Sequence, residues 1–301
     1  MPRPSTINHQ MRTVSVIGAG RLGTALGVAL QLSGYQVEAV VANHLSHASK
    51  AARLISKSCQ PLKVDQLARL PSSAVTIIAT PDDVIPSVAE AWAATQTNSN
   101  KGRIALHTSG ALASEVLRPL SLKGFAAGSL HPLVSVSDSR TGARALASAY
   151  YCLEGDAIAM RIARRMVKDL GGQSFTIKSQ YKARYHAAAV MSSGHVTALF
   201  DLASEVLASC GLDRKMARRV LLPLLESTWR NLLYAEPFQA LTGTYARGDE
   251  ATVRKHLESL KEADALAAYR LLGLRSLELY AQKGGDPAVI KRISSMLKKR
   301  P

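Results

Sequence analysis

Cysteine is scarce in this chain. The three that occur, Cys59, Cys152 and Cys210, stand far apart and match no disulfide or metal-ligand spacing. That excludes a disulfide-stapled secreted domain and a zinc module, so no metal is expected, and it fits a reducing, cytoplasmic setting. Long apolar runs are also missing: no stretch approaches the ~18 to 20 residues needed to cross a bilayer, and no membrane partner is expected. Met1 to Gln10 lack the apolar segment of a secretory signal and read as a disordered tail. Aromatic residues make up only 5%, and no nucleic-acid-binding motif accompanies the net charge of +16. The basic residues are spread along the chain, with Lys298-Lys299-Arg300 the one dense run. A nucleic-acid partner is therefore not expected, and the charge reads as a general attraction for anionic cofactors and substrates.

What is present is a core-forming share of 47% hydrophobic residues in a chain of 301, enough for one large or two modest domains. The most informative stretch is Val14-Ser15-Val16-Ile17-Gly18-Ala19-Gly20-Arg21-Leu22-Gly23. A β-branched run meets a G-x-G-x-x-G triplet, and a helical pattern follows at once. Gly18 permits the tight turn, Gly20 lets a pyrophosphate approach the backbone, and Gly23 lets the helix lie close to the strand. The phosphates would then meet unpaired N–H groups at a helix N-terminus.

Strand-like runs follow at Val37–Ala42, Ala74–Ala79, Ile104–His107, Ala126–Leu130 and Tyr150–Leu153, with Ser174–Ile177 as a further candidate beyond the first at Thr13–Ile17. Alternation with helical patterns predicts a doubly wound parallel sheet of Rossmann type over residues 11–180. From residue 181 to 301, Ala- and Leu-rich helical segments such as Lys182–Ser209, Arg214–Tyr234, Asp249–Lys261 and Asp264–Gln282 predict an all-α domain, broken at Gly211, Pro223, Pro237 and Gly243.

The second strand ends in Ala42-Asn43-His44-Leu45-Ser46, with no carboxylate to hold a ribose 2′-OH, and Glu38 lies too early to serve. NADP is therefore favoured over NAD, with Lys50, Arg53 or Arg21 as counter-charges and Asn43 and Ser46 at the adenosine ribose. Thr80, Pro81 and Asp82 border the dinucleotide, and Ser109 in Thr108-Ser109-Gly110 lies nearer the nicotinamide. Ser109 also reads as a simple helix cap. His131, before Pro132, either lines the site or is a satisfied structural histidine. Lys182 and His186, four residues apart in one helical pattern, are candidate proton donors. The bland alternative is a solvated Lys182 and a His186 that caps a domain contact. Ser193 shares that helical face, and Arg247, bracketed by Gly243 and Gly248, either clamps a substrate carboxylate or makes a structural ion pair.

Seven ordered strings then carry a resemblance over nearly the whole chain: GAGRLGTAL, ATPDDVI, HTSGAL, GSLHPL, LEGD at Leu153–Asp156, YHAAAV, and LTG-x-x-ARGD within Leu241–Asp249. The chain resembles the family that joins an N-terminal Rossmann-like domain to a helical domain of unknown function, DUF2520. That family is similar to the 6-phosphogluconate dehydrogenases, ketopantoate reductases and pyrroline-5-carboxylate reductases. The resemblance implies an NADP(H)-dependent oxidoreductase, with ketopantoate as the most concrete substrate; the Ala-rich helices themselves predict pairing across a two-fold into a homodimer. Ketopantoate reductases carry a Lys and an Asn at the spacing of Lys182 and His186, so His replaces Asn here, and Gly194 stands where many relatives have Asn. The other reading is a non-catalytic NADP-binding sensor. Substrate identity, reaction direction, oligomer size and the choice among Lys182, His186 and His131 as proton donor stay open.

Overall fold

The computed structural model describes residues 12–97 and 100–299. The expectation for Met1 to Gln10 lies outside them. The chain divides into two compact units, the first ending at Val190 and the second beginning at Met191.

The first unit contains β1 (Thr13–Ile17), α1 (Arg21–Leu32), β2 (Gln36–Ala42), α2 (Leu45–Ile55), β3 (Gln60–Lys63), β4 (Val75–Ile78), α3 (Ile85–Ala94) and β5 (Ile104–His107). It continues with α4 (Arg118–Ser121), β6 (Ala126–Pro132), α5 (Ser139–Leu146), β7 (Tyr150–Gly155), α6 (Ala157–Asp169), β8 (Gln173–Thr176) and most of α7 (Lys182–Ser192). Among the described residues one sheet of eight strands results, in the order β3-β2-β1-β4-β5-β6-β7-β8.

Every residue of β4 and β5 is buried. A strand covered on both faces needs apolar side chains pointing both ways, which is why Val75-Thr76-Ile77-Ile78 and Ile104-Ala105-Leu106 are mostly apolar rather than alternating. One core layer gathers Val16, Leu26, Leu30 and Ile77 on one face, and a second gathers Ile17, Ile78, Trp92 and Phe125 on the other. Each fully buried Leu or Ile contributes roughly 1.5–3 kcal/mol. The strand order reverses between β1 and β4, which pair in parallel (Ile17 with Ile78). That reversal opens a crevice at the carboxyl ends of the two strands.

Two features depart from the expected parallel sheet. β3, Gln60-Pro61-Leu62-Lys63, carries no apolar alternation; its Pro and Lys are tolerated because it is an edge strand. β7 runs antiparallel to β6, pairing His131 with Cys152. Leaving β6, the chain forms α5, which lies against α1, and re-enters the sheet from the same edge without crossing back.

The second unit is helical: α8 (Gly194–Ala208), α9 (Arg214–Tyr234), α10 (Pro237–Ala240), α11 (Gly243–Ala246), α12 (Glu250–Ser259), α13 (Ala263–Gln282) and α14 (Pro287–Lys298). Its small core joins Val253, Leu277, Ile293 and Leu297. Asp213, Asp249 and Asp286 cap α9, α12 and α14 by accepting backbone N–H bonds. The single helix expected over Lys182–Ser209 is two, because Ser193 leaves the helical region (φ −130°, ψ −79°) just before the weak helix former Gly194. Conversely, Pro223 does not break α9, whose 21 residues absorb one missing backbone donor. Among the described residues no helix is long and apolar enough to cross a membrane.

Candidate active site in the sheet unit

The glycine loop is shaped by what would collide with it. Gly18 leaves β1 at φ +120°, and a Cβ there would run into the Ala79 carbonyl at the end of β4. A Cβ on Gly23 would strike the Gly18 carbonyl, so α1 and the loop touch through backbone alone. At Gly20 a Cβ would meet nothing within 4 Å, and no side chain caps the first turn of α1. The N–H groups there face open space, the arrangement that receives an anion.

Three adjoining cavities share this loop. The first, about 260 Å³, is lined by Gly18, Ala19, Gly20, Asn43, His44 and His47. The second, about 610 Å³, is lined by Arg21, Leu22, Asp82, Ser109, His131 and His186, among others. Thr80 and Pro81 line both, so the two form one groove along the carboxyl edge of the sheet. A third cavity of about 230 Å³ opens beside the loop between Arg21, His47, Lys50 and Ser139. Glu38 is turned away, accepting a hydrogen bond from Ser73, whose hydroxyl also meets Ser15. Ser46 is exposed on α2 and lines none of the three, whereas His47 lines the first and third and Lys50 the third. Thr80 Oγ1 is buried without a hydrogen-bond partner.

At the far end of the groove, Ser109 does cap its own turn, accepting from Ala111 N (3.1 Å) and Leu112 N (2.9 Å), and its hydroxyl donates to Asp82 at 2.8 Å. Two imidazoles meet there. His131 and His186 are edge-to-face with ring centroids 5.6 Å apart, and both abut Gly110, where a Cβ would stand 2.8 Å from His131 Nε2. Burial, followed by the charge of Lys182 and the His186 ring, pulls the His131 pKa down to about 4.

Lys182 is neither solvated nor in the groove. It is 1% exposed and is not among the residues lining the large cavity. Its ammonium donates to the Ser109 carbonyl (3.0 Å) and the Ser129 hydroxyl (2.7 Å) beneath the cavity floor. Burial lowers its pKa, opposed by Cys152, Glu154 and Asp82. Beside it lies His107, 0% exposed, whose Nδ1 accepts the Ser109 N–H at 3.2 Å; its Nε2 makes no well-formed hydrogen bond, and the Ala113 backbone near the ring weakly favours the charged form. Burial, then Lys182, lowers its pKa to about 3. Tyr185 places its hydroxyl 2.7 Å from His131 Nδ1.

Sequence reasoning named Ser109, His131 and His186 in this cluster but missed Tyr185, Ser129 and His47. The signal for Tyr185 was its place between Lys182 and His186 in the YHAAAV string. Ser193 and Arg247 belong to the helical unit, where both are exposed and Arg247 follows α11 between Gly243 (φ +76°) and Gly248 (φ +60°). Among the described residues no group of three or more His, Cys, Asp or Glu could hold a metal ion.

The sheet order and the crevice at its reversal define a Rossmann-type fold. Residues 1–132 match the Rossmann-like domain model, and residues 149–276 match DUF2520, a domain of unknown function. A similar solved structure is a candidate NADP oxidoreductase from Bacteroides fragilis, 21% identical, covering 90% of this chain and 100% of that one with a TM-score of 0.73. A reductive aminase from Aspergillus terreus in complex with NADPH and ethyl-5-oxohexanoate is 14% identical over 95% of this chain and 92% of its own, at 0.56. A pyrroline carboxylate reductase from Plasmodium falciparum with NADP bound is 11% identical over 96% and 99%, also at 0.56. No curated protein matches. At these identities the likeness is one of fold.

Proposed function

We propose that the sheet unit binds NADP(H) and that the protein is an NADP(H)-dependent oxidoreductase. The carrying observation is the continuous groove that runs from Asn43 and His47, past the glycine loop, to Ser109, His131 and His186. Its residues fit the cofactor: an uncapped helix start at Gly20, an orphaned Thr80 hydroxyl, and an uncharged β2 tip beside a pocket holding Arg21, His47 and Lys50. Gly18, Ala19, Gly20, Arg21 and Leu22 would seat the pyrophosphate, with Gly23 letting the helix lie close. Asn43 would meet the adenosine ribose, and Lys50 and Arg21 would favour a 2′-phosphate. Thr80, Pro81, Asp82 and Ser109 would border the nicotinamide end. When bound, the cofactor supplies or accepts hydride.

The substrate proposed is a small carboxylate-bearing keto acid, hydroxy acid or imine, ketopantoate-like in size, with His186 as the group that moves the proton. His131 would contact the substrate from the cavity wall. Exposed apolar side chains on α9 and α13, among them Leu222, Leu224, Trp229 and Leu271, support a homodimer formed by the helical unit. The free cysteines fit a cytoplasmic protein. Titration with NADPH and with NADH, followed by nicotinamide fluorescence, tests the reading. Selective NADPH binding and turnover of a 2-keto acid or cyclic imine are expected; binding of neither cofactor refutes it. Binding without turnover of any offered acid or imine leaves the sensor.

A further inference from the structure

We infer that Lys182 and Tyr185 are positioning residues that hold His131 as a neutral imidazole with its proton on Nε2. His131 then offers a substrate a fixed hydrogen bond, while His186 is the imidazole that changes charge. The substrate role rests on the reading above; the protonation state does not.

The tautomer turns on which neighbour takes the Tyr185 proton. The Tyr185 hydroxyl has one proton to give and two neighbours, His131 Nδ1 at 2.7 Å and the Cys152 thiol. Burial keeps the phenol protonated. An imidazole nitrogen is a far better acceptor than a thiol sulfur, so Tyr185 donates to Nδ1. A neutral ring whose Nδ1 accepts must carry its hydrogen on Nε2. That nitrogen is turned toward Gly110, whose missing Cβ leaves room at the cavity wall.

The charge state follows from the neighbours. His131 is faced by Lys182, Tyr185 and His186 from α7, by Cys152 from β7 and by His107 from β5, while Glu154 of β7 pairs with Ser129 and acts on Lys182. Glu154 is committed elsewhere, accepting from Ser114 N (2.8 Å) and Ser114 Oγ (2.6 Å). The Lys182 ammonium is bonded only to neutral acceptors, Ser109 O and Ser129 Oγ, so its charge is not cancelled at short range. A second proton on His131 would place two cations side by side in a buried site. His107 obeys the same logic, its Nδ1 taking the Ser109 N–H.

His186 differs. It lines the cavity, is only partly buried and has no hydrogen-bond partner among the described residues. Its ring nitrogens are therefore open to a molecule in the cavity. In the reductive direction, its N–H bond breaks and an O–H or N–H bond forms on the substrate as hydride reaches the adjacent carbon. The imidazolium ends neutral, and His131 keeps its proton throughout.

Ring-nitrogen NMR of the full-length protein labelled in histidine, without any ligand, tests the assignment. The expected spectrum shows His131 as the Nε2–H tautomer, titrating near 4. Lys182→Met should raise that midpoint by about one pH unit or more, while Lys182→Arg keeps it low. Tyr185→Phe should mix the tautomers. An Nδ1–H ring, a His131 midpoint near its ordinary value, or a midpoint unmoved in Lys182→Met overturns the inference. If Lys182→Met does not fold, the parent and Tyr185→Phe spectra still decide the tautomer. The experiment uses no cofactor, so a protein that fails to bind NADPH refutes the oxidoreductase reading without touching this result.

Discussion

His107 should make the sheet unit acid-sensitive by a predictable amount. The ring is wholly buried, and its native pKa lies at about 3 against 6.5 when exposed. The direction follows from proton binding. Below pH 6.5 the unfolded chain protonates this imidazole and the native state does not, so falling pH favours unfolding. The contribution is intact above pH 6.5 and is lost progressively until about pH 3. Each pH unit in that window is worth ~1.4 kcal/mol, so between pH 7 and pH 5 His107 should remove about 2 kcal/mol of stability. His107→Asn isolates the effect, because the amide oxygen can still accept the Ser109 N–H while the side chain no longer titrates. The lost ring volume destabilises by roughly 1–3 kcal/mol, but equally at both pH values. Urea unfolding followed through Trp92, buried in this unit, reads the difference once the exposed Trp229 is replaced by Phe. The variant's loss from pH 7 to pH 5 should be about 2 kcal/mol smaller than the parent's. His131 titrates in the same sense in both proteins and cancels. Equal losses would mean that His107 is already charged or solvated in the native state, and the reasoning fails.

Lys50→Glu, beside the glycine loop, should weaken NADPH binding about tenfold or more and leave NADH nearly unchanged, because only the former brings a 2′-phosphate; parallel titrations check it. Gly110→Ala should lower kcat with little change in NADPH affinity, since its Cβ displaces both imidazoles but not the glycine loop; steady-state and binding measurements separate the two. Leu224→Glu with Trp229→Glu, both exposed on α9, should shift the protein toward monomer in sedimentation while the sheet unit keeps its melting transition; a monomeric parent would remove the dimer proposal.

The fold was legible where local chemistry decides it. Thr13–Ile17 and the glycine triplet were readable because a β-branched run and a left-handed glycine are properties of adjacent residues. β3 was not, since an edge strand that tolerates Pro61 and Lys63 has no pattern of its own. Nor was the direction of β7, because a strand's side-chain period is the same whichever way it runs; only the placement of α5 against α1 fixes it. The same limit governs the site. Helical spacing put Lys182 and His186 on one face and therefore in one pocket. Yet the Lys182 ammonium is bound by groups 73 and 53 residues away in sequence, on the loops and strands beneath the cavity. Spacing along a helix says which side chains are neighbours, and not which of them reaches solvent. A lysine at the first turn of α7 has room to extend back under β5 and β6, while the imidazole one turn later meets the opening. The assignment of roles therefore turns on acceptors, Ser109 O and Ser129 Oγ, that no motif marks. On the inference drawn above, a buried ammonium held by neutral oxygens acts on the charge of the neighbouring imidazole rather than on a substrate.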